Sequence, residues 1–300
     1  MKSDTEKITN SAIKTKERES IIAIASGKGG TGKTLVATSL ALASDEDIQF
    51  LDCDVEEPNA YVFLKPQLQE TIPVILPFPK IDAEKCTGCG DCVEFCEYNA
   101  LAVVKGKAIV FSELCHSCGG CMLVCPENAI SETARQIGVV EIGEAYGMPV
   151  IDGVLDVGEA VAPPIIHAVK AQAKLNLITI IDSPPGTACP MIEAVKGSDY
   201  CVLVTEPTPF GYHDLTLAVE VVRELDVPCG VIINRANIGD DKVQQYCESE
   251  NIEILMRIPM DRKIAEAYSE GIPLIEALPE YKEKFNELFR EIPPLYQRGA

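Results

Sequence analysis

Gly27-Lys28-Gly29-Gly30-Thr31-Gly32-Lys33-Thr34 follows the apolar run Ile21-Ile22-Ala23-Ile24-Ala25 and opens a helix-forming stretch, Thr34 to Ala43. The motif fits G-x-x-x-x-G-K-[ST], a pattern that requires a strand before it and a helix after it. Its glycines let backbone N–H groups turn inward around phosphates, and the helix N-terminus adds the positive end of its dipole. In such a loop Lys33 reaches the β- and γ-phosphates and Thr34 ligates Mg²⁺. Gly27, Gly29, Gly30, Thr31, Gly32, Lys33 and Thr34 are therefore the candidate nucleotide-binding residues, with ATP and Mg²⁺ as cofactors.

Outward from the loop, strand and helix signals alternate. Ile48-Gln49-Phe50-Leu51 reads as a strand ending at Asp52, and Leu177-Ile178-Thr179-Ile180-Ile181 as one ending at Asp182. Tyr200–Val204 and Cys229–Ile233 are two more; helical segments fall near Leu215–Leu225, Val243–Glu250 and Pro279–Arg290. This alternation implies an α/β fold, a doubly wound, mostly parallel sheet. Residues 1–20 read as a polar tail, 21–79 and 136–300 as one discontinuous ATPase domain, and 80–135 as an inserted small α+β domain. Pro73 to Pro79 is Pro-punctuated and reads as a linker into the insert. In the last helix Phe285, Leu288, Phe289 and Ile292 recur at i, i+3, i+4 and i+7. A core-facing stripe is predicted over a membrane-surface one, because the polar face mixes Glu280, Lys282, Glu283, Lys284 and Glu287 without basic excess.

The 300 residues carry 46 acidic against 26 basic side chains, a formal net charge of -20. So acidic a surface repels phosphate backbones, which argues against nucleic-acid partners and leaves solubility or basic protein partners as its uses. Residues 1–20 lack the apolar core of a signal peptide, and no run of about 18 apolar residues is present, so a cytoplasmic protein with no stable membrane association is expected.

Eight of the 13 cysteines lie between Cys86 and Cys125. They read Cys86-x2-Cys89-x2-Cys92-x3-Cys96 and Cys115-x2-Cys118-x2-Cys121-x3-Cys125-Pro126, an internal repeat at an offset of 29 residues. The run resembles the bacterial two-cluster ferredoxins, in which the fourth cysteine of each run serves the other cluster. That resemblance implies two [4Fe-4S] clusters, one on Cys86, Cys89, Cys92 and Cys125, the other on Cys115, Cys118, Cys121 and Cys96. Structural zinc also uses Cys-x2-Cys pairs, but it needs four ligands per site and does not account for a third cysteine at x2 in both runs. Glu97 stands where the ferredoxin pattern has proline; no ligand is lost.

Lys-Gly-Gly-Thr-Gly-Lys-Thr at 28–34 resembles the signature of the MinD/ParA family, which includes the nitrogenase iron protein. The chain as a whole resembles members of that superfamily that carry an inserted ferredoxin domain. The resemblance implies that Lys28 crosses a dimer interface to the partner's phosphates. It also implies that Asp54, in Asp52-Cys53-Asp54-Val55-Glu56-Glu57-Pro58-Asn59, activates the attacking water and that Asn59 belongs to a moving segment. In Asp182-Ser183-Pro184-Pro185-Gly186-Thr187, Asp182 would hold Mg²⁺ through water and Gly186 would sense the γ-phosphate. Asn234-Arg235, with Ile258-Pro259-Met260-Asp261, resembles the base-recognition region.

Five cysteines lie outside the repeat. Cys201 and Cys229 read as core fillers, Cys53 as a packed residue, and Cys247 has no evident role. Cys189 follows Asp182 by seven residues, as a cluster ligand does in the nitrogenase iron protein. No second cysteine occurs near Gly153–Pro164, so a packed thiol is expected. For His116, between two cluster ligands, the readings are a hydrogen-bonding tuner and an exposed loop residue.

The first functional expectation is an ATPase that couples MgATP-driven dimer and switch changes to electron transfer through two clusters. Its partners would be a second copy or a paralogue, and a redox protein. The alternatives are an iron–sulfur carrier of the Mrp type, although no C-terminal Cys-x-x-Cys pair is present, and a MinD-like positioning switch with redox-sensing clusters.

Overall fold

The computed structural model describes residues 19–292. Strand β1 (Ile21–Ala25) leads through the loop at 26–32 into helix α1 (Lys33–Ala43). Next come β2 (Ile48–Asp52), α2 (Ala60–Leu64) and the long β3 (Gln67–Ile81). Residues 82–129 contain α3 (Asp91–Phe95), β4 (Leu101–Val104), β5 (Lys107–Val110), a 3₁₀ turn at Ser112–Leu114 and α4 (Gly120–Leu123). The chain returns through β6 (Ile130–Ala145) and β7 (Met148–Leu155) to α5 (Pro163–Ala171). It then alternates β8 (Ile178–Asp182), α6 (Cys189–Val195), β9 (Tyr200–Thr205), α7 (Pro209–Glu224), β10 (Cys229–Asn234), α8 (Lys242–Ser249) and β11 (Glu253–Ile258). Helices α9 (Arg262–Ser269), α10 (Leu274–Ala277) and α11 (Glu280–Glu291) follow.

One sheet of nine strands has the order β11-β10-β9-β1-β8-β2-β7-β6-β3. From β11 to β7 neighbouring strands are parallel; β6 and β3 add antiparallel pairs at one edge. The interior strands are buried on both faces, which explains their continuous apolar runs. Helices α1 and α11 close one face; α5, α6, α7 and α8 close the other. The doubly wound expectation therefore holds, and the P-loop sits at the carboxyl ends of central strands, where such sheets bind ligands.

The stripe on α11 faces the core: Phe285, Leu288, Phe289 and Ile292 are buried against α1 and the sheet. One expectation needs revision. Pro73 to Pro79 is no linker but part of β3, paired with β6 from Gln67↔Glu144 to Ile81↔Ile130. Three prolines are tolerated because β3 is the sheet's edge. Pro73, Pro77 and Pro79 are two or four residues apart, the phase in which each nitrogen can point away from β6. Strands β6, β7 and β11 also escaped the sequence reading, because their polar residues alternate irregularly and break both periodicities.

Phe285→Ala should lower stability by about 3–5 kcal/mol, since it empties a fully buried volume. The exposed neighbour Glu287→Ala should stay within about 0.5 kcal/mol of the parent in the same urea-unfolding series.

Candidate functional site

Parallel pairing sets the nucleotide site. β2 and β8 are in register at Asp52↔Asp182, and β2 and β7 at Asp52↔Asp152. Three aspartates thus line up across adjacent strand ends, all buried. Lys33, at the first residue of α1, is buried opposite them: its Nζ lies 2.5 Å from Asp182 Oδ1 and 3.5 Å from Asp54 Oδ2. Burial by itself would lower the Lys33 pKa, but Asp182, Asp54 and Asp52 outweigh it and hold the ammonium above its ordinary value. Burial pushes Asp54 up to about 6 against the pull of Lys33. Asp52 is raised further by burial and by its neighbours Asp182 and Asp152. Its two oxygens accept from the Asp54 and Ala60 amides and so frame the segment between them.

The site fits Mg²⁺ and a polyphosphate on its own geometry. Asp182 Oδ2 is buried without a hydrogen-bond partner, as is Thr31 Oγ1. A buried carboxylate oxygen left open beside a lysine is a position a metal-bound water can fill. Gly29 and Gly30 have open space where a Cβ would project, leaving a cradle for phosphate oxygens. Gly27 and Gly32 are required sterically: a Cβ would meet Asp214 O at 2.1 Å and Asn234 Nδ2 at 2.3 Å. Thr34 is buried at the start of α1, and Gly186 donates its N–H to Ser26 O at 2.9 Å, which ties the loop after β8 to the P-loop. Asn59 is exposed at the head of α2.

Other candidate residues have specific partners. Lys28 lies 2.6 Å from Glu206, which also binds Arg235 at 2.7 Å. Both cations hold the Glu206 carboxyl below its ordinary value although burial opposes them. Asn234 donates to Thr31 O at 2.8 Å, gripping the P-loop from β10. Sequence reading missed Glu206 and Asp152; a lone acidic residue at a strand end carries no motif.

The cysteine segment repeats in three dimensions. Helices α3 and α4 start at the same place in each half. Gly88 and Ser117, Gly90 and Gly119, and Asn99 and Asn128, each pair 29 positions apart, all have positive φ. Sulfurs of Cys96 and Cys125 accept the equivalent amides, Ala100 at 3.4 Å and Ala129 at 3.3 Å, while Cys86 accepts from Ala108 at 3.4 Å. One cavity is lined by Cys86, Cys89, Cys92 and Cys125. A second is lined by Cys96, Cys115, Cys118 and Cys121. Among the described residues no three His, Cys, Asp or Glu side chains converge on a single-ion centre. Four sulfurs around a space larger than an ion, with amides aimed at them, suit an iron–sulfur cubane. Exposed His116 stacks on Tyr98 with ring centroids 3.6 Å apart.

Outside this segment, Cys53, Cys201 and Cys247 are buried and Cys229 is half-buried. The packed-thiol expectation for Cys189 is corrected: its side chain is exposed. Helix α6 buries Met191, Ala194 and Val195, and position 189 falls off that face.

The Asp152 carboxyl has a testable consequence. Burial and Glu141, its cross-strand partner on β6, push it up to about 7, and its Oδ1 has no hydrogen-bond partner. A folded pKa above the unfolded value near 4 means that native protein keeps a proton that unfolded chain releases. The stability from that proton is complete below about pH 4 and is lost as pH rises through about 7. Urea unfolding between pH 5 and 8 should therefore show Asp152→Asn with a flatter profile, more stable than the parent at pH 8 by an amount on the order of 1 kcal/mol. Parallel profiles would disprove this assignment. Raised Asp52 leaves some slope in the variant.

The CobQ/CobB/MinD/ParA nucleotide binding domain family matches residues 22–274. The chain is 31% identical over 284 residues to Uncharacterized protein MJ0578 of Methanocaldococcus jannaschii, a match covering 90% of this chain and 95% of that protein. An Iron-sulfur cluster carrier protein of Pyrococcus furiosus is 28% identical over 136 residues, 38% of this chain and 46% of its own length. Among solved structures, the septum site-determining protein MinD complexed with Mg-ADP from Pyrococcus horikoshii shares the fold, with a TM-score of 0.57 and 19% identity over 94% of this chain and 99% of its own. The strand–loop–helix with Lys28 and Lys33, the aspartates at neighbouring strand ends and the family match along most of the chain agree, and the protein belongs to the CobQ/CobB/MinD/ParA nucleotide-binding family as an ATPase of the MinD/ParA type.

Proposed function

We propose that this ATPase carries an inserted two-cluster ferredoxin domain at residues 80–135 and uses MgATP to control electron transfer through two [4Fe-4S] clusters. The observation that carries this reading is the pair of cavities, each lined by one crossed set of four cysteines. They lie in a chain whose nucleotide site has its lysine and aspartates assembled. When bound, the clusters would supply one-electron chemistry; the cysteines and the amides of Ala100, Ala108 and Ala129 would hold them and tune their charge. At the other site, Lys33 and Thr34 would bind the phosphates and Mg²⁺ with Asp182 beside them. Asp54, poised by Lys33, would orient the attacking water.

Lys28 belongs to the same reading. Its pairing with Glu206 keeps the side chain on its own protomer. Closure of two copies, or of this chain with a paralogue, around ATP would exchange Glu206 for the partner's phosphates. Asn234 and Arg235 would take the base side of the nucleotide. A redox protein would be the electron partner.

Anaerobically purified protein, titrated by EPR with and without MgATP, tests the proposal. Two cubane signals whose midpoint potential or acceptor reduction rate changes with MgATP are expected. Asp54→Asn should slow hydrolysis by about 10²-fold or more while nucleotide still binds, which separates positioning of water from binding. Clusters indifferent to MgATP in both readouts would sink the electron-transfer reading.

Iron–sulfur carriage is the second reading, favoured by the partial likeness to proteins of that name. Transfer of iron and sulfide from this chain to an apo-ferredoxin, faster than from free cluster components, would establish it in place of the first.

A further inference from the structure

The link between the two sites runs through Arg135, a residue with no role so far. Arg135 lies on β6, in the antiparallel arm from which the cysteine segment is built. Its side chain is mostly buried and its guanidinium has three partners. It pairs with the carboxylate of Glu159, in the loop between β7 and α5. Its Nη1 donates to Ser112 O at 2.9 Å. Its Cζ sits 4.9 Å from the centroid of the Phe78 ring, on β3. One planar, always-charged fork thus joins the ATPase core, the arm and the cysteine segment.

Each end of this bridge touches a functional segment. Ser112 O also accepts the amide of Cys115, at 3.2 Å, and Cys115 lines the second cysteine cavity. At the other end, the Glu159 amide donates to Asp156 O at 3.1 Å, one residue past the end of β7. Leu155, last in β7, donates its amide to Val55 O at 2.9 Å. Val55 follows Asp54 and is buried against β7 so closely that a Cβ on Gly153 would lie 2.6 Å from Val55 Cγ1. Gln136, the next residue on β6, donates separately to Asp156 at 3.1 Å and does not touch Glu159 or Ser112 through that bond.

We propose that Arg135 is a positioning residue that transmits nucleotide-dependent movement of the Asp54–Glu57 segment, through Glu159, to the loop carrying Cys115. The second cysteine quartet then answers to the nucleotide, whereas none of Glu159, Ser112, Phe78 and Cys115 lines the first cavity, that of Cys86, Cys89, Cys92 and Cys125. The inference rests on reading the second cavity as a cluster site. Contiguity supplies the path, and energetic coupling along it is the quantity to measure.

The test is hydrogen exchange on the full-length, iron-loaded chain, nucleotide-free and with MgATP, followed by EPR titration of the same samples. In the parent, MgATP should change exchange at 112–118 by roughly threefold or more. Arg135→Ala and the isosteric Glu159→Gln should abolish that change while iron content and ATP hydrolysis remain at parental levels. Arg135→Lys, which keeps the charge but loses the fork, should restore part of it, and Gln136→Ala should retain it. An unresponsive parent segment, an equal response in Arg135→Ala and Glu159→Gln, or a loss shared by Gln136→Ala would each overturn the proposal. If exchange couples through Arg135 but cluster potentials and reduction rates ignore MgATP, the electron-transfer reading fails and the Arg135 link stands. If potentials respond to MgATP equally in parent and variants, the link fails and the reading stands.

Discussion

A single lysine ammonium set among carboxylates at the crest of the sheet is the constraint on which the nucleotide end of this protein depends. Lys33 touches Asp182 and Asp54, with Asp52 close behind. Buried charge is tolerated only when it is paired, and losing one partner of such a pair costs about 3–5 kcal/mol. Lys33 therefore holds the P-loop, the end of β8 and the segment after β2 in one arrangement. The carboxylates outnumber the ammonium, and Asp182 Oδ2 has no partner. That imbalance is the electrostatic reason the site suits a divalent cation with a polyphosphate.

Parallel register carries the same constraint sideways. Asp52 is level with Asp182 on one side and Asp152 on the other, and Asp152 is level with Glu141 on β6. Strand β6 belongs to the arm that bears the cysteine segment. The cysteine segment is thus carried on a continuous, hydrogen-bonded arm whose strand β6 also pairs with β7 beside the nucleotide site, rather than on a loose tether. Placing the segment on a paired arm, with Arg135 braced between Glu159 and Ser112, gives a rigid element that can transmit a displacement.

Much of this was legible in the residues. Continuous apolar runs, the P-loop and the 29-residue cysteine repeat each specify local geometry, because glycine conformation, thiol chemistry and strand burial are properties of short segments. The core-facing stripe on α11 was legible for the same reason. Prolines at 73, 77 and 79 misled, since proline excludes a residue only from the interior of a sheet and nothing local marks β3 as an edge. Cys189 misled too, because exposure depends on which face α6 turns to its neighbours.

What the sequence by itself determined is the chemistry that short, contiguous motifs encode: a phosphate cradle from Gly27 to Thr34, and eight thiols at spacings that bring them together in loops. Tertiary structure alone decided which distant groups meet. Glu206 faces Lys28 and Arg235, Asp152 lies beside Asp52, and Arg135 reaches Glu159 and Ser112. These contacts join residues far apart in the chain through sheet register and arm geometry, and a side chain has no local pattern that names its distant partner.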